Sequence, residues 1–199
     1  MTEIADLEAL VEQAVKKSAG TLDRLRPVIT KELLHYDILY ALESNGLLDS
    51  VTFQGGTSLR LCYGSSRYSE DLDFAGGWDF NAQQLMSMKS CIERYVGERY
   101  GLEVTVKEPR EVVMEPHGKS IRVHKWQIRI MTTPDRPDLP KQMIKVEVAS
   151  VPAHTREPQL LRKNYDFLPD GYDGMVITVE SREEIMADKL IALVDCPYL

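Results

Sequence analysis

The segment Asp71-Leu72-Asp73-Phe74 constrains the fold more than any other part of this chain, because acidic and large apolar side chains alternate in it. Successive side chains of a β-strand point to opposite faces. The segment therefore predicts a strand that buries Leu72 and Phe74 and carries both carboxylates on its other face. On such a strand the Cα atoms of Asp71 and Asp73 are about 6.5 to 7 Å apart. Their carboxylate oxygens can then converge on one point above the sheet.

This pair of carboxylates is a candidate site for divalent cations. Two ions held about 3.5 to 4 Å apart need several hard oxygen ligands, which two aspartates and a third carboxylate from a neighbouring strand would supply. Glu147 is our candidate for the third ligand, because the sequence Lys-Val-Glu-Val at 145–148 predicts a strand with Glu147 on its polar face. The alternative is a solvated edge strand, but Glu70, Asp71 and Asp73 would repel one another there without a cation.

A glycine turn precedes the acidic strand. The β-prone residues 51–53 run into Gly55 and Gly56, and Thr57 and Ser58 follow at the start of a helical segment. Such a turn offers free backbone amides, close backbone approach and hydroxyl groups at the positive end of a helix, which suit a phosphate. A tight strand-to-helix connection without a ligand is the alternative, since the spacing matches neither a P-loop nor a dinucleotide-binding turn.

The order of helical and strand patterns predicts an α+β fold with a mixed β-sheet flanked by helices, including N-terminal helices. Helical periodicity covers residues 7–15 and 33–42 before any strand pattern, and a Ser-x-x-Glu capping box at Ser181 opens a last helix. Within residues 121–130 the apolar side chains change from odd to even positions, which predicts a bulge near His124 and Lys125.

Composition bounds the class of protein. With 199 residues and 43% hydrophobic content, we expect an N-terminal helical segment over residues 1–50 packed on a core over residues 51–199. The net charge of -7 argues against a broadly basic surface that coats nucleic acid. The cysteines, Cys62, Cys91 and Cys196, form no zinc pattern and indicate a reducing compartment. Without a signal peptide or an apolar run of roughly 20 residues, a cytoplasmic location with no membrane contact is expected.

Residues 55–74, GGTSLRLCYGSSRYSEDLDF, resemble the signature of the AbiEii/AbiGii toxin family of nucleotidyltransferases, which belongs to the polymerase-β-type superfamily. Two further segments are similar to that family. KVEV at 145–148 resembles the strand with its third acidic position, and EEIMADKLIAL at 183–193 resembles its lysine-containing helix. The resemblance implies a polymerase-β-like nucleotidyltransferase fold. Relatives continue into a further helical region, so we expect the core over 51–199 to lack a C-terminal helical region.

By similarity, the chain would transfer a nucleoside monophosphate from an NTP to an acceptor hydroxyl, with pyrophosphate leaving. Two Mg²⁺ ions would be held by Asp71, Asp73 and Glu147, and the implied catalytic residues are Asp71, Asp73 and Lys189. The residues implied to bind the nucleotide are Gly55, Gly56, Thr57, Ser58, Arg67 and Ser69.

Three cations of these segments can also be judged from their patterns. Lys189 shares a helical stripe with Ile185 and Leu190 that is predicted to face the core, where an unpaired lysine is costly, so a phosphate partner is expected. The alternative is a structural lysine that snorkels from the stripe. Arg60 and Arg67 are candidate phosphate clamps, because a guanidinium fork matches phosphate oxygens. Either arginine could instead pair with the surplus carboxylates of the acidic strand, and Arg60 could face solvent.

The resemblance further implies the toxin half of a bacterial toxin–antitoxin or abortive infection system, with tRNA or a protein as acceptor and a cognate antitoxin as partner. The acidic net charge gives a tRNA acceptor no support. Two other hypotheses stay open. A catalytically impaired nucleotide-binding module that acts through a partner protein would bind NTP without releasing pyrophosphate. A metal-dependent glycosyltransferase, whose class also uses an Asp-x-Asp strand, would bind a nucleotide sugar but no plain NTP.

Overall fold

The computed structural model describes residues 4–17, 25–115, 120–136 and 138–194, so Cys196 lies outside the described residues. The α-helices are α1 (Leu7–Lys17), α2 (Arg26–Glu43), α3 (Gly55–Leu61), α4 (Met88–Tyr100) and α5 (Arg182–Val194). The strands are β1 (Thr52–Gln54), β2 (Leu72–Ala75), β3 (Val104–Met114), β4 (Ile121–Ile130), β5 (Gln142–Ala149), β6 (Glu157–Leu160) and β7 (Val176–Val179). Two short 3-10 helices cover Ala82–Leu85 and Asp170–Tyr172.

Within the described residues, the strands form one seven-stranded sheet in the order β3-β4-β5-β2-β1-β7-β6. β2 runs parallel to β5 and β1 parallel to β7, whereas the other neighbouring strands pair antiparallel. The α+β class with a mixed sheet flanked by helices is therefore confirmed. The arrangement is consistent with the polymerase-β-like nucleotidyltransferase fold that the sequence predicts.

One face of the sheet packs on helices, and the other carries polar side chains. On β5, the apolar side chains of Ile144, Val146 and Val148 are fully buried, while Lys145 and Glu147 between them are partly exposed. Helix α2 contacts α1, α4 and β5, and α4 contacts β3. Because α2 is enclosed on several sides, its buried positions follow no single stripe. The polar face of β5 is thus accessible for a site.

The predicted bulge near His124 is wrong in position. β4 pairs with β5 without a break over residues 123–130, and the irregularity lies on β3, between Lys107 and Arg110. Both faces of β4 are covered at its start, where His124 packs its ring against Phe80 with 5.4 Å between the centroids and Val123 is also buried. The apolar side chains of this segment therefore change from odd to even positions because the start of β4 is buried on both faces. Among the described residues, no helix is long and apolar enough to cross a membrane.

Candidate functional site

The register of the sheet places the predicted carboxylates side by side. β2 and β5 are parallel, and Asp73 lies directly opposite Glu147. Leu72 and Phe74 are buried on the other face, as the alternating pattern predicts. Asp71 comes just before β2, two residues from Asp73, so its side chain leaves the chain on the same face.

The glycine turn packs so closely against the acidic strand and the residues before it that a side chain at Gly55 or Gly56 would collide with them. Gly55 has a φ of +81°, and a Cβ built on it would lie 2.6 Å from Oδ2 of Asp73. A Cβ on Gly56 would lie 2.7 Å from the Oγ of Ser69. Both glycines are therefore required for the backbone at the start of α3 to approach the carboxylate and the hydroxyl group.

The hydroxyl groups of Thr57 and Ser58 face inward rather than toward solvent. Both side chains are buried, the Thr57 hydroxyl donates to the carbonyl oxygen of Asp71, and the Ser58 Oγ donates to the carbonyl oxygen of Gly55 at 2.9 Å. The Thr57 bond joins the turn to the residue before β2, and the Ser58 bond lies within the turn itself. Any contact of Thr57 and Ser58 with a phosphate would therefore be made by their backbone amides.

A cleft with a volume of about 740 Å³ opens above this contact. It collects Gly56, Arg67, Ser69, Asp71, Asp73 and Lys189 from the residues predicted for the site. Its wall also includes residues that the sequence analysis did not assign to the site, namely Lys31, Leu59, Ser65, Tyr68, Glu70, Met143, Lys145 and Met186. Lys31 comes from α2, outside the three motif segments, which is why motif spacing could not identify it.

Lysine side chains lie beside the carboxylates. The Nζ of Lys145 is 3.3 Å from Oδ2 of Asp71, and the Nζ of Lys125 is 2.8 Å from Oε2 of Glu147. Lys145 and Lys125 follow from the strand register, because each lies on the same sheet face as the carboxylate it meets. Lys145 and Lys125 therefore offset part of the local negative charge.

Asp73 has an unusual environment for a carboxylate. Burial, followed by the neighbouring charges of Glu147 and Asp71, raises its pKa to about 6, although Lys189 and Lys125 act in the opposite direction. A divalent cation would remove this conflict, since it stabilises the ionised form of every nearby carboxylate. Asp71, Asp73 and Glu147 lie on one polar face and offer the oxygen ligands that Mg²⁺ prefers, although their ligand atoms do not all lie within 4.8 Å of one another.

The predicted environment of Lys189 is wrong. Among the described residues of α5, Ile185 is the buried one, and Lys189 is exposed. The other apolar side chains of this helix are also exposed, namely Met186, Leu190, Ile191, Leu193 and Val194. The apolar stripe follows helical periodicity, but the helix contacts the rest of the chain mainly through its first turn. Lys189 nevertheless lines the cleft. It does so because α5 follows β7 closely, which places Lys189 near Asp73.

A second group of acids lies next to the cleft. Among the described residues, Glu180, Glu184 and Asp188 form the one group of three whose potential ligand atoms all lie within 4.8 Å of one another. Burial and the charges of Glu184 and Asp188 raise the pKa of Glu180 to about 8, so it is largely protonated at neutral pH. Glu184 accepts hydrogen bonds from the backbone amides of His154 and Thr155, both at 2.6 Å. Glu184 is therefore held in place by the segment before β6. The three acids are four residues apart in the sequence, and that spacing could have identified the group.

The open sheet face beyond Glu147 is basic. Strand pairing places Lys125 beside Glu147 and Arg110 beside Lys125, which forms one row across β5, β4 and β3. The cations on this face are Lys107, Arg110, Lys125, Arg129 and Lys145. Because Lys125 and Lys145 pair with Glu147 and Asp71, the basic surface consists mainly of Lys107, Arg110 and Arg129 on β3 and β4, despite the acidic net charge of -7.

Comparison with known proteins gives a family for most of the chain. A family model described as nucleotidyl transferase AbiEii toxin of a type IV toxin–antitoxin system matches residues 37–198. Among solved structures, the chain is similar to a nucleotidyltransferase candidate from H. pylori and to JHP933 from Helicobacter pylori, each at 21% identity with a TM-score of 0.45. These matches cover 82% of this chain but only 57% and 56% of the two solved chains. No curated protein matches the chain.

Proposed function

Because this chain belongs to the AbiEii nucleotidyltransferase toxin family of the type IV toxin–antitoxin systems, we propose that it transfers a nucleoside monophosphate from an NTP to an acceptor hydroxyl. The observation that carries this proposal is the contact between the glycine turn and the acidic strand. Gly55 lies against Asp73 and Gly56 against Ser69, which leaves no room for a Cβ at either glycine. A triphosphate bound at the turn would have its phosphates next to the carboxylates.

The residues of the cleft have complementary roles in this reaction. Arg67, Lys189 and the backbone amides at the start of α3 would hold the triphosphate, with Ser69 as a further hydrogen-bond donor. Asp71, Asp73 and Glu147 would hold two magnesium ions. Magnesium, when bound, lowers the pKa of an attacking hydroxyl and neutralises charge on the phosphates and the leaving pyrophosphate. The protein itself contributes position and electrostatic stabilisation, which are the main requirements of phosphoryl transfer.

The basic face of the sheet supports a nucleic-acid acceptor such as tRNA over a protein acceptor. Lys107, Arg110 and Arg129 lie on β3 and β4 beyond the carboxylates, and polyanions bind such a surface by releasing counterions. The acidic net charge remains an argument against non-specific coating of RNA, but it does not oppose a local site. The family further supports a cognate antitoxin as a partner and a cytoplasmic location, where nucleotides and tRNA are available.

Calorimetric titration with each of the four NTPs in magnesium tests the nucleotide site. The protein, the Asp71→Ala/Asp73→Ala double variant and Asp138→Ala as a matched control would be compared, since Asp138 is an exposed residue paired with Arg136. We expect magnesium-dependent NTP binding in the protein and the control, and none in the double variant. Absence of binding to all three would overturn the nucleotidyltransferase assignment. NTP binding without pyrophosphate release in the presence of cell RNA would instead favour a binding module that acts through a partner.

Filter binding of total tRNA at several salt concentrations tests the acceptor. The double variant Lys107→Gln/Arg129→Gln removes two cations of the basic face, whereas Lys16→Gln/Arg136→Gln removes the same charge from exposed positions elsewhere. We expect the first variant to lose about tenfold in tRNA affinity, with a shallower salt dependence and unchanged NTP affinity. Equal tRNA affinities for the two double variants would exclude the basic face as the acceptor surface.

A further inference from the structure

We infer that Arg60 is a positioning residue for the phosphate cleft, which fixes the cleft loop (residues 65–70) so that Arg67 and Ser69 point into the cleft. The inference rests on the proposed function only in naming a phosphate as the ligand. The contacts of Arg60 stand on their own. Arg60 is neither a phosphate clamp nor a solvent-facing side chain, and the carboxylate that it pairs with is Glu32 of α2 rather than one of the acidic strand.

The guanidinium of Arg60 makes contacts in three directions. Its Nε and Nη2 donate to Oε2 and Oε1 of Glu32 at 2.8 and 3.1 Å, which is the paired geometry of a strong arginine–carboxylate contact. Its Nη1 donates to the carbonyl oxygen of Ser65 at 3.0 Å. Its Cζ lies 4.3 Å from the centre of the Tyr68 ring. The first contact anchors Arg60, and the other two hold the cleft loop.

The anchor is buried and belongs to the helical core. The side chain of Glu32 is 2% exposed and that of Arg60 is 15% exposed, so solvent screens this pair little. Glu32 also accepts a hydrogen bond from Nδ2 of Asn164 at 3.0 Å, which leaves it little freedom to move. Because Glu32 lies on α2 within the core, Arg60 transmits the position of α2 to the cleft loop.

The far end of the cleft loop is held by the same helix. Lys31 forms an ion pair with Glu70, and Nε2 of His35 lies 3.1 Å from the carbonyl oxygen of Glu70. The cleft loop has no helix or strand of its own, so these contacts at its two ends, together with the hydrogen bond from the Ser65 amide to the carbonyl oxygen of Leu59, hold Arg67 and Ser69 at the cleft. An ordered loop loses less conformational entropy when a phosphate binds, and affinity for the phosphate is correspondingly higher.

Three variants separate the contacts of Arg60. Arg60→Lys keeps the positive charge, but a lysine cannot donate to Glu32 and Ser65 at the same time in this geometry, and it has no planar group to stack on Tyr68. Tyr68→Leu removes the stacked ring alone. The double variant Glu32→Gln/Arg60→Gln leaves no unpaired charge, so it reports on the loop even if a single loss of charge prevents folding. Hydrogen exchange of peptides within residues 62–70 measures loop order, and calorimetry with inorganic tripolyphosphate in magnesium measures phosphate affinity without a nucleobase.

We expect Arg60→Lys to exchange about tenfold faster in the cleft loop and to bind tripolyphosphate about tenfold more weakly, the equivalent of one charge-assisted hydrogen bond. Tyr68→Leu should show a smaller change in the same direction, and the double variant at least as large a change as Arg60→Lys. If pyrophosphate release is measured, KM for NTP should rise more than kcat falls.

Arg99→Lys is the matched control, because Arg99 forms a buried ion pair with Asp37 and neither residue lines the cleft. It should lower the free energy of unfolding without faster exchange in the cleft loop or weaker tripolyphosphate binding. Wild-type exchange and affinity in Arg60→Lys, or the same losses in Arg99→Lys, would overturn the inference. If the unmodified protein binds neither NTP nor tripolyphosphate, the proposed function fails, and the exchange of the cleft loop alone decides the role of Arg60.

Discussion

At the scale of single residues, the carboxylates of the cleft could be predicted, but the lysines beside them could not. Asp71 and Asp73 were identified from their parity on one strand, and Glu147 from its place in a second strand with the right alternation. The structure places Asp73 opposite Glu147. Lys125 and Lys145 alternate with apolar residues in the same way as solvated lysines do, and only the pairing of β4, β5 and β2 shows which carboxylates they meet.

A first prediction concerns Asp73. Asp73→Asn should lower turnover at least about a thousandfold, because it removes a central charge of the metal site. It should leave the chain folded, since an asparagine has nearly the same shape. The loss would be measured as pyrophosphate release, with circular dichroism as the check on folding. Asp138→Ala serves as control, and retention of more than a tenth of the activity would contradict the role of Asp73.

The same variant has a predicted pH dependence of stability. The folded-state pKa of Asp73 is raised to about 6 from 3.8, so the folded state binds a proton more tightly than the unfolded state does. The contribution of the protonated Asp73 to the free energy of unfolding is fully present below pH 3.8 and is lost as the pH rises to 6. In metal-free buffer, Asp73→Asn should therefore be more stable than the unmodified protein at pH 7.5, and the difference should be smaller at pH 4. Urea unfolding at both pH values measures it, and an equal difference at both would contradict the prediction.

At the scale of elements, the glycine turn and helix α5 show what local patterns can and cannot tell. The strand, glycine turn and short helix were predicted from residue types that permit few alternatives. The apolar stripe of α5 was equally regular, but the conclusion that it faces the core was wrong. Helical periodicity identifies which side of a helix is apolar. It does not identify whether another part of the described chain covers that side.

The glycine turn gives a second prediction, with Gly77 as its matched control. Gly55 and Gly77 both have positive φ, +81° and +82°, but a Cβ meets Asp73 at Gly55 and nothing within 4 Å at Gly77. Gly77→Ala should cost about 1 kcal/mol from backbone strain alone. Gly55→Ala should cost about 2 kcal/mol or more and also weaken NTP binding, because Asp73 has to move. Equal losses of stability in urea unfolding would show that the close contact with Asp73 does not matter.

Helix α5 gives a third prediction. Ile185→Ala should lower the free energy of unfolding by about 2 to 4 kcal/mol, because Ile185 is fully buried. Leu190→Gln should change it by no more than about 0.5 kcal/mol, since Leu190 is 60% exposed. Thermal unfolding of the two variants measures the contrast. A large loss for Leu190→Gln would restore the prediction that the stripe packs against the core.

At the scale of the whole molecule, helix α2 connects the helical side of the protein to the cleft. Its residues Lys31, Glu32 and His35 reach the cleft loop or Arg60, and Asp37 lies farther along the same helix in a separate buried network. These side chains are scattered in sequence and form no motif. Their connection to the site became visible only when the tertiary contacts were known.

The buried network around Asp37 gives a fourth prediction. Asp37 is 1% exposed, its Oδ1 lies 2.9 Å from Nε of Arg99, and it accepts hydrogen bonds from the hydroxyl groups of Tyr100 and Tyr172. Arg99→Met leaves the carboxylate without its cation and should cost about 3 to 5 kcal/mol at pH 8. The double variant Asp37→Asn/Arg99→Met should recover most of that loss. Urea unfolding tests this, and a double variant as unstable as Arg99→Met would show that packing, not charge, is responsible.

The parallel pairing of β2 with β5 also sets the order in which the protein acquires its site during synthesis. A nascent chain that has reached residue 141 already contains the glycine turn and both aspartates, but it lacks β5 with Glu147 and α5 with Lys189. Asp73 therefore meets Glu147 only after β5 has been synthesised and has paired with β2 across the intervening α4, β3 and β4. A chain released before β5 would lack both Glu147 and Lys189, and with them part of the proposed metal and phosphate site.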